Sequence, residues 1–151
     1  MKKIVVGVDG SALSHTALRW AYDEAKLHRA ELTVVHSWLY PYVGPRTGVS
    51  EPRDDMKLDA MRELEASIKT LGELGEGAVP IHALLKEGSP AECLIDACAD
   101  ADLLVVGSRG RGGFKALLLG SVSRVIVQHA PCPVAVIRDG NVPASALHAG
   151  S

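Results

Sequence analysis

GSRGRGGFKALLLGS, residues Gly107 to Ser121, stands between the apolar run Leu103-Leu104-Val105-Val106 and the segment SVSRVIVQHA that ends at Ala130. The apolar run reads as a parallel strand buried on both faces, and the later segment reads as a helix. The strand therefore ends in a glycine loop. Glycines at 107, 110, 112 and 113 are expected to take positive φ and to bring backbone N–H groups close to a ligand. Gly120 and Ser121 open a helix whose first N–H groups lack intrahelical partners, a place that favours an anion such as phosphate. The plain alternative is a flexible turn with Ser121 as an ordinary N-cap. There is no Walker A loop and no Gly-x-Gly-x-x-Gly, and the spacing that does occur is Gly107-x2-Gly110-x9-Gly120-Ser121.

That spacing resembles the ATP-binding signature of the universal stress protein family. The resemblance runs from KKIVVGVDGS at the start, through ADLLVVGSRGRGG, to LLLGSVSRVIVQHAPCPVAVIR, roughly residues 2 to 138. Because all the signature glycines are present, it places the chain with the ATP-binding class. It implies Asp9 beside the adenosine and phosphates, Val35 at the adenine, and Gly107 and Gly110 at the ribose and phosphates. Gly120, Ser121, Val122 and Ser123 would hold the triphosphate; Gly112 belongs to the same loop, and Arg109 occupies a loop position that varies within the family. It also implies an α/β fold: a single open five-stranded parallel sheet in the order 3-2-1-4-5 with helices on both faces, Rossmann-like, and dimers formed through the last strand.

At 151 residues the chain suits one domain, here 1–139, followed by a short aperiodic tail, 140–151, expected to be flexible. Sixteen Lys and Arg against 18 Asp and Glu leave a formal net charge of -2, which argues against nucleic acid and anionic membrane as partners. No apolar stretch reaches the roughly 18 residues of a membrane span, so a cytoplasmic protein is expected. Cys93, Cys98 and Cys132 have no CxxC spacing and read as structural thiols.

Lys3 to Asp9 reads as a buried first strand, with Ser11 capping a helix to about Arg29 whose inner face holds Leu13, Ala17, Ala21 and Ala25. Asp9 at the carboxyl end of that strand suits either a turn or a ligand-facing role, since open α/β sheets bind ligands outside the carboxyl ends of their strands. Glu31 to Trp38 is the second strand, with His36 near its end read as structural. Residues 39–52, with Pro41, Pro45 and Pro52, form a long loop that lies over the nucleotide or serves a partner; Tyr40 and Tyr42 either stack on a base or pack on the body. Arg53 to Leu74 is a helix with Met61, Leu64, Ile68 and Leu71 inward, and VPIHALLKEG is an edge strand. Ser89-Pro90-Ala91-Glu92 predicts a capping box on a helix to about Ala99, and Asp100 and Asp102 read as turn residues. VAVIR forms a fifth strand whose exposed apolar edge, with Val134 and Val136, would be covered by a second copy in a homodimer.

Arg109, Arg111 and Lys115 are candidates for phosphate oxygens, and Asp9 with Ser121 for a Mg²⁺ ion carried by the nucleotide. No general base stands beside the loop; His15 suits either the crevice or the surface. Three functions stay open: an ATP-binding stress regulator, a slow ATPase or protein autophosphorylated at a serine such as Ser121 or Ser123, and a dimeric scaffold binding AMP or a cyclic nucleotide.

Overall fold

The computed structural model describes residues 1–40, 52–111 and 119–139. Nine elements follow in the order β1 (Lys3–Gly7), α1 (Ala12–His28), β2 (Glu31–Trp38), α2 (Arg53–Lys69), β3 (Ile81–Glu87), α3 (Pro90–Ala97), β4 (Leu103–Gly107), α4 (Ser121–His129) and β5 (Val134–Ile137). The strands form one parallel sheet in the order β3-β2-β1-β4-β5. The tail 140–151 and residues 41–51 of the proline-containing loop, Tyr42 among them, lie outside the described residues.

Alternation along the central strands supplies two cores. Ile4, Val6, Leu32, Val34, Leu103 and Val105 point to one face, where Leu18 and Tyr22 of α1 and Leu64 of α2 cover them. Val5, Val35, Leu104 and Val106 point to the other, against Leu94 of α3 and Ile126 of α4. Each fully buried aliphatic side chain contributes on the order of 1.5–3 kcal/mol, so these strands have no solvent face to spare and need helices on both sides. Ala17, Ala21 and Ala25, four residues apart and fully buried, keep α1 slender where it meets the sheet. Leu13, predicted for the same stripe, is only half-buried and lies instead against Gly107.

Several boundaries differ from the sequence reading. β1 stops at Gly7 rather than Asp9, after which the Val8 N–H still donates to the Val35 carbonyl at 2.9 Å and Gly10 turns the chain with φ 82°. Ser11 caps α1 as expected, accepting from the Ser14 N–H at 3.2 Å. α2 ends at Lys69, five residues before Leu74, because from Thr70 to Gly72 the backbone N–H groups bond three residues back and Gly72 adopts φ 73°. Ser89 is the N-cap of α3 with Pro90 in the first turn, but its hydroxyl makes no capping bond, so the predicted capping box does not form. Asp100 and Asp102 lie at the amino ends of the strands. There Asp102 accepts from the Lys2 and Lys3 N–H groups at 2.6 and 3.0 Å, and Asp100 pairs with Lys3 at 2.8 Å.

The order β3-β2-β1-β4-β5 builds outward from β1 in one direction and then returns to its other side. Neighbouring connections therefore diverge between β1 and β4, and the carboxyl ends of those strands leave a crevice.

Candidate functional site

A cavity of about 370 Å³ occupies that crevice. Ten of the ligand candidates singled out in the sequence line it: Asp9, Val35, Gly107, Arg109, Gly110, Arg111, Gly120, Ser121, Val122 and Ser123. Gly112, Gly113 and Lys115 lie outside the described residues, and Tyr40, half-buried, is not among those lining the cavity. Pairing explains the convergence. Gly7 stands opposite Val35 in the β1–β2 register and Val6 opposite Val105 in the β1–β4 register, which places Asp9, Val35 and Gly107 at one end of adjacent strands.

Asp9 joins the two loops of the crevice. Its Oδ1 accepts the Ser11 N–H at 2.9 Å and its Oδ2 accepts the Arg111 N–H at 2.8 Å, across 102 positions of chain. Burial alone pushes this carboxyl up, but the bonds from Ser11, Arg111 and Ser14 together outweigh it and hold the group below its ordinary range. An ionised carboxylate therefore pins the glycine loop to the start of α1.

The glycines do their work differently from the sequence expectation. Neither Gly107 nor Gly110 has positive φ. What they provide is room: a Cβ on Gly110 would lie 2.6 Å from Asp9 Oδ2, and one on Gly107 would lie 3.2 Å from Leu13 Cγ and 3.3 Å from the Arg109 carbonyl oxygen. The protein's own atoms fill the space that a side chain would need.

The far end of the loop is fastened through the Ser108 carbonyl. It accepts the Gly120 N–H at 2.6 Å and the Ser123 hydroxyl at 2.8 Å, while the Ser108 N–H donates to Ile137 of β5 at 2.7 Å. Gly120 is the N-cap of α4 and Ser121 its first residue, so Ser121 is not the cap that the plain-turn alternative made it. Ser121 is exposed, whereas Ser123 is buried with its proton turned inward.

Both described arginines of the loop line the cavity. Arg109 pairs with Asp139, just beyond β5, and Arg111 Nη1 lies 3.6 Å from Glu63 Oε1 on α2. Buried His36, also on the wall, donates from Nδ1 to the Val8 carbonyl at 2.9 Å and places Nε2 3.1 Å from Glu63 Oε2. It is the structural histidine expected, but its place in the cavity wall was not. His15 faces α2, with Nε2 3.2 Å from Ser67 Oγ, and is not among the lining residues. No spacing signal points to Ser14 or Leu94, which complete the wall from α1 and α3, or to Glu63 and Asp139 behind it.

Among the described residues no three His, Cys, Asp or Glu side chains cluster as a metal site, and no helix is long and apolar enough to cross a membrane. Burial and contact with Cys132 push the Cys98 thiol up to about 12, and burial raises Cys93, in keeping with structural thiols.

Residues 1–138 match the model of the Universal stress protein family. Over 139 residues the chain is 34% identical to a universal stress protein of Mycolicibacterium smegmatis, covering 89% of this chain and 45% of that protein. It thus spans less than half the length of that relative. The universal stress protein from Archaeoglobus fulgidus in complex with dAMP is 29% identical, with a TM-score of 0.60 over 91% of this chain and 98% of that one. A universal stress protein in complex with cAMP is 25% identical, with a TM-score of 0.66 over 90% and 96%.

Proposed function

The chain belongs to the universal stress protein family, and on that premise we propose that it is an adenine-nucleotide-binding regulator whose ligand is ATP with Mg²⁺. The single observation that carries this reading is the convergence of Asp9, Val35, Gly107, Gly110 and the first turn of α4 on one cavity of about 370 Å³, within the range of small-molecule sites. In this reading the base lies on Val35, the ribose and phosphates run along the backbone at Gly107 and Gly110, and the phosphates end at the N–H groups of Gly120 to Ser123. The solved relatives holding dAMP and cAMP support an adenosine moiety in this crevice.

The residues present fit a nucleotide-borne Mg²⁺. Asp9 is held ionised by its neighbours, and each of its oxygens, bonded to one N–H, keeps a second lone pair. Ser121 offers an exposed hydroxyl at the start of α4. One or two protein oxygens, with phosphate and water supplying the rest, is the way Mg²⁺ is ordinarily bound, and the ion would offset phosphate charge.

Regulation rather than turnover is favoured by His36, whose Nδ1 is committed to Val8 and whose Nε2 faces Glu63, leaving it unsuited to activate a water. Nucleotide occupancy would bias a partner or a second copy of the chain, docked along β5 at Val134 and Val136, in the cytoplasm. Should phosphoryl transfer to the protein occur, exposed Ser121 is the better acceptor than Ser123, whose hydroxyl is turned into the protein.

The two nucleotides in the solved relatives each carry a single phosphate, and they favour one second reading: a scaffold that binds AMP or a cyclic nucleotide. Thermal denaturation of nucleotide-stripped protein with Mg²⁺ against ATP, ADP, AMP and cyclic AMP separates the two. A ligand binding only the folded state at a hundredfold excess over Kd adds about 2.7 kcal/mol. Selective stabilisation by ATP supports the triphosphate reading, equal response to AMP supports the second, and no response to any of them refutes both.

A further inference from the structure

The two arginines that line the cavity are already neutralised from outside it. Arg109, with its side chain only 14% exposed, pairs with Asp139 beyond the end of β5. Arg111 starts from its N–H bond to Asp9 and runs over Gly10, where a Cβ would meet its Nη2 at 2.6 Å, to reach Glu63 on α2. Glu63 is fixed in turn by its second oxygen, 3.1 Å from His36 Nε2. Neither Glu63 nor Asp139 is among the residues lining the cavity. A phosphate that approaches either guanidinium must share it with, or take it from, a carboxylate the chain itself supplies.

We infer that Glu63 and Asp139 are positioning residues that determine specificity by phosphate number: by neutralising Arg111 and Arg109 they set how much affinity the site gains for each further phosphate on its ligand. This rests on the nucleotide-binding reading above. The carboxylates lower the positive potential that the two arginines present to the cavity without lining it themselves, so their effect scales with ligand charge. The Arg111–Glu63 pair is the weaker restraint, since its side chains are 65% and 45% exposed. Arg109 is held nearer the interior, and Asp139 therefore exerts the larger effect.

The test uses the full chain and its isosteric variants Glu63→Gln and Asp139→Asn, titrated calorimetrically with adenosine, AMP, ADP and ATP at fixed Mg²⁺ and ionic strength. Adenosine affinity is expected to stay the same. ATP binding tightens about two- to fivefold in Glu63→Gln and up to about tenfold in Asp139→Asn, with AMP changing less, so the ratio of AMP to ATP dissociation constants widens. The gain disappears when Arg111→Gln or Arg109→Gln is added to the respective variant. An equal change for all four ligands assigns the carboxylates to the fold and overturns the inference, as does an unchanged ratio. Weaker ATP binding overturns it too, by showing that the carboxylates prepare the arginines for phosphate. If the unaltered chain binds none of the four, the nucleotide reading fails and this inference with it, an outcome distinct from binding without phosphate discrimination.

Discussion

Replacing Asp9 by Asn isolates the restraint on which the crevice depends. The carboxylate accepts two backbone N–H groups, Ser11 at 2.9 Å and Arg111 at 2.8 Å. An amide of the same shape accepts only one and turns an NH₂ toward the other, so one N–H loses its acceptor and the other keeps only a neutral one. Hydrogen bonds to charged groups contribute about 1.5–3 kcal/mol, and for a half-buried site the expected loss is about 2 kcal/mol. For a domain of this size that lowers Tm by about 4–8 °C, read by circular dichroism at pH 7 without nucleotide. The pH dependence identifies the cause. The folded-state carboxyl titrates below the ordinary value of 3.8, so its stabilisation is fully present above that value and is lost as pH falls through the folded value. The gap between parent and Asp9→Asn is therefore flat from about pH 7 to 5 and narrows in acid below pH 4. A difference under about 0.5 kcal/mol at neutral pH would refute the pinning role, and a gap that persists undiminished in acid would show that ionisation is not its source.

Three further substitutions probe the surroundings. Gly110→Ala places a methyl 2.6 Å from Asp9 Oδ2 and forces the carboxylate or the loop to move; a loss of about 1–3 kcal/mol in urea denaturation is expected, with at least tenfold weaker nucleotide binding in the same sample. Ser123→Ala leaves the Ser108 carbonyl with the Gly120 N–H alone and should cost about 1 kcal/mol by the same denaturation, while the secondary structure seen by circular dichroism is retained. Leu64→Ala opens a void in the core beneath α2 and should cost about 2–5 kcal/mol, with nucleotide affinity per folded molecule unchanged because Leu64 does not line the cavity.

The sheet was legible because its strands are unmixed. Runs such as Ile4-Val5-Val6 and Leu103-Leu104-Val105-Val106 offer no polar face, and only a parallel sheet covered on both sides accommodates them. Strand order was a different matter: it came from the family resemblance, since no local pattern says that β4 pairs with β1 rather than with β3. Helix ends were read less well for a local reason. At the end of α2 apolar periodicity continues through Leu71, which is buried, but from Thr70 to Gly72 the backbone N–H groups bond three residues back and Gly72 then turns the chain, so a residue can keep its place in the core after its helix has stopped.

The site divides along the same line between local and distant information. Gly107, Gly110, Gly120 and Ser121 announce themselves by spacing, because the loop they belong to is continuous in sequence. Their physical role was not legible: Gly110 is small because Asp9, about a hundred residues earlier, occupies the space its side chain would need, and nothing near Gly110 carries that information. Glu63 and Asp139 are hidden more thoroughly. Glu63 stands on the charged outer side of a helix and Asp139 in a chain segment just past a strand, positions where a carboxylate ordinarily means only solvation. Only the folded chain shows that each opposes a particular arginine of the glycine loop. Residues that hold the loop's shape and residues that offset its charge thus come from different elements, which is why Asp9→Asn should alter stability before ligand is added, whereas Glu63→Gln and Asp139→Asn should alter chiefly the response to ligand charge.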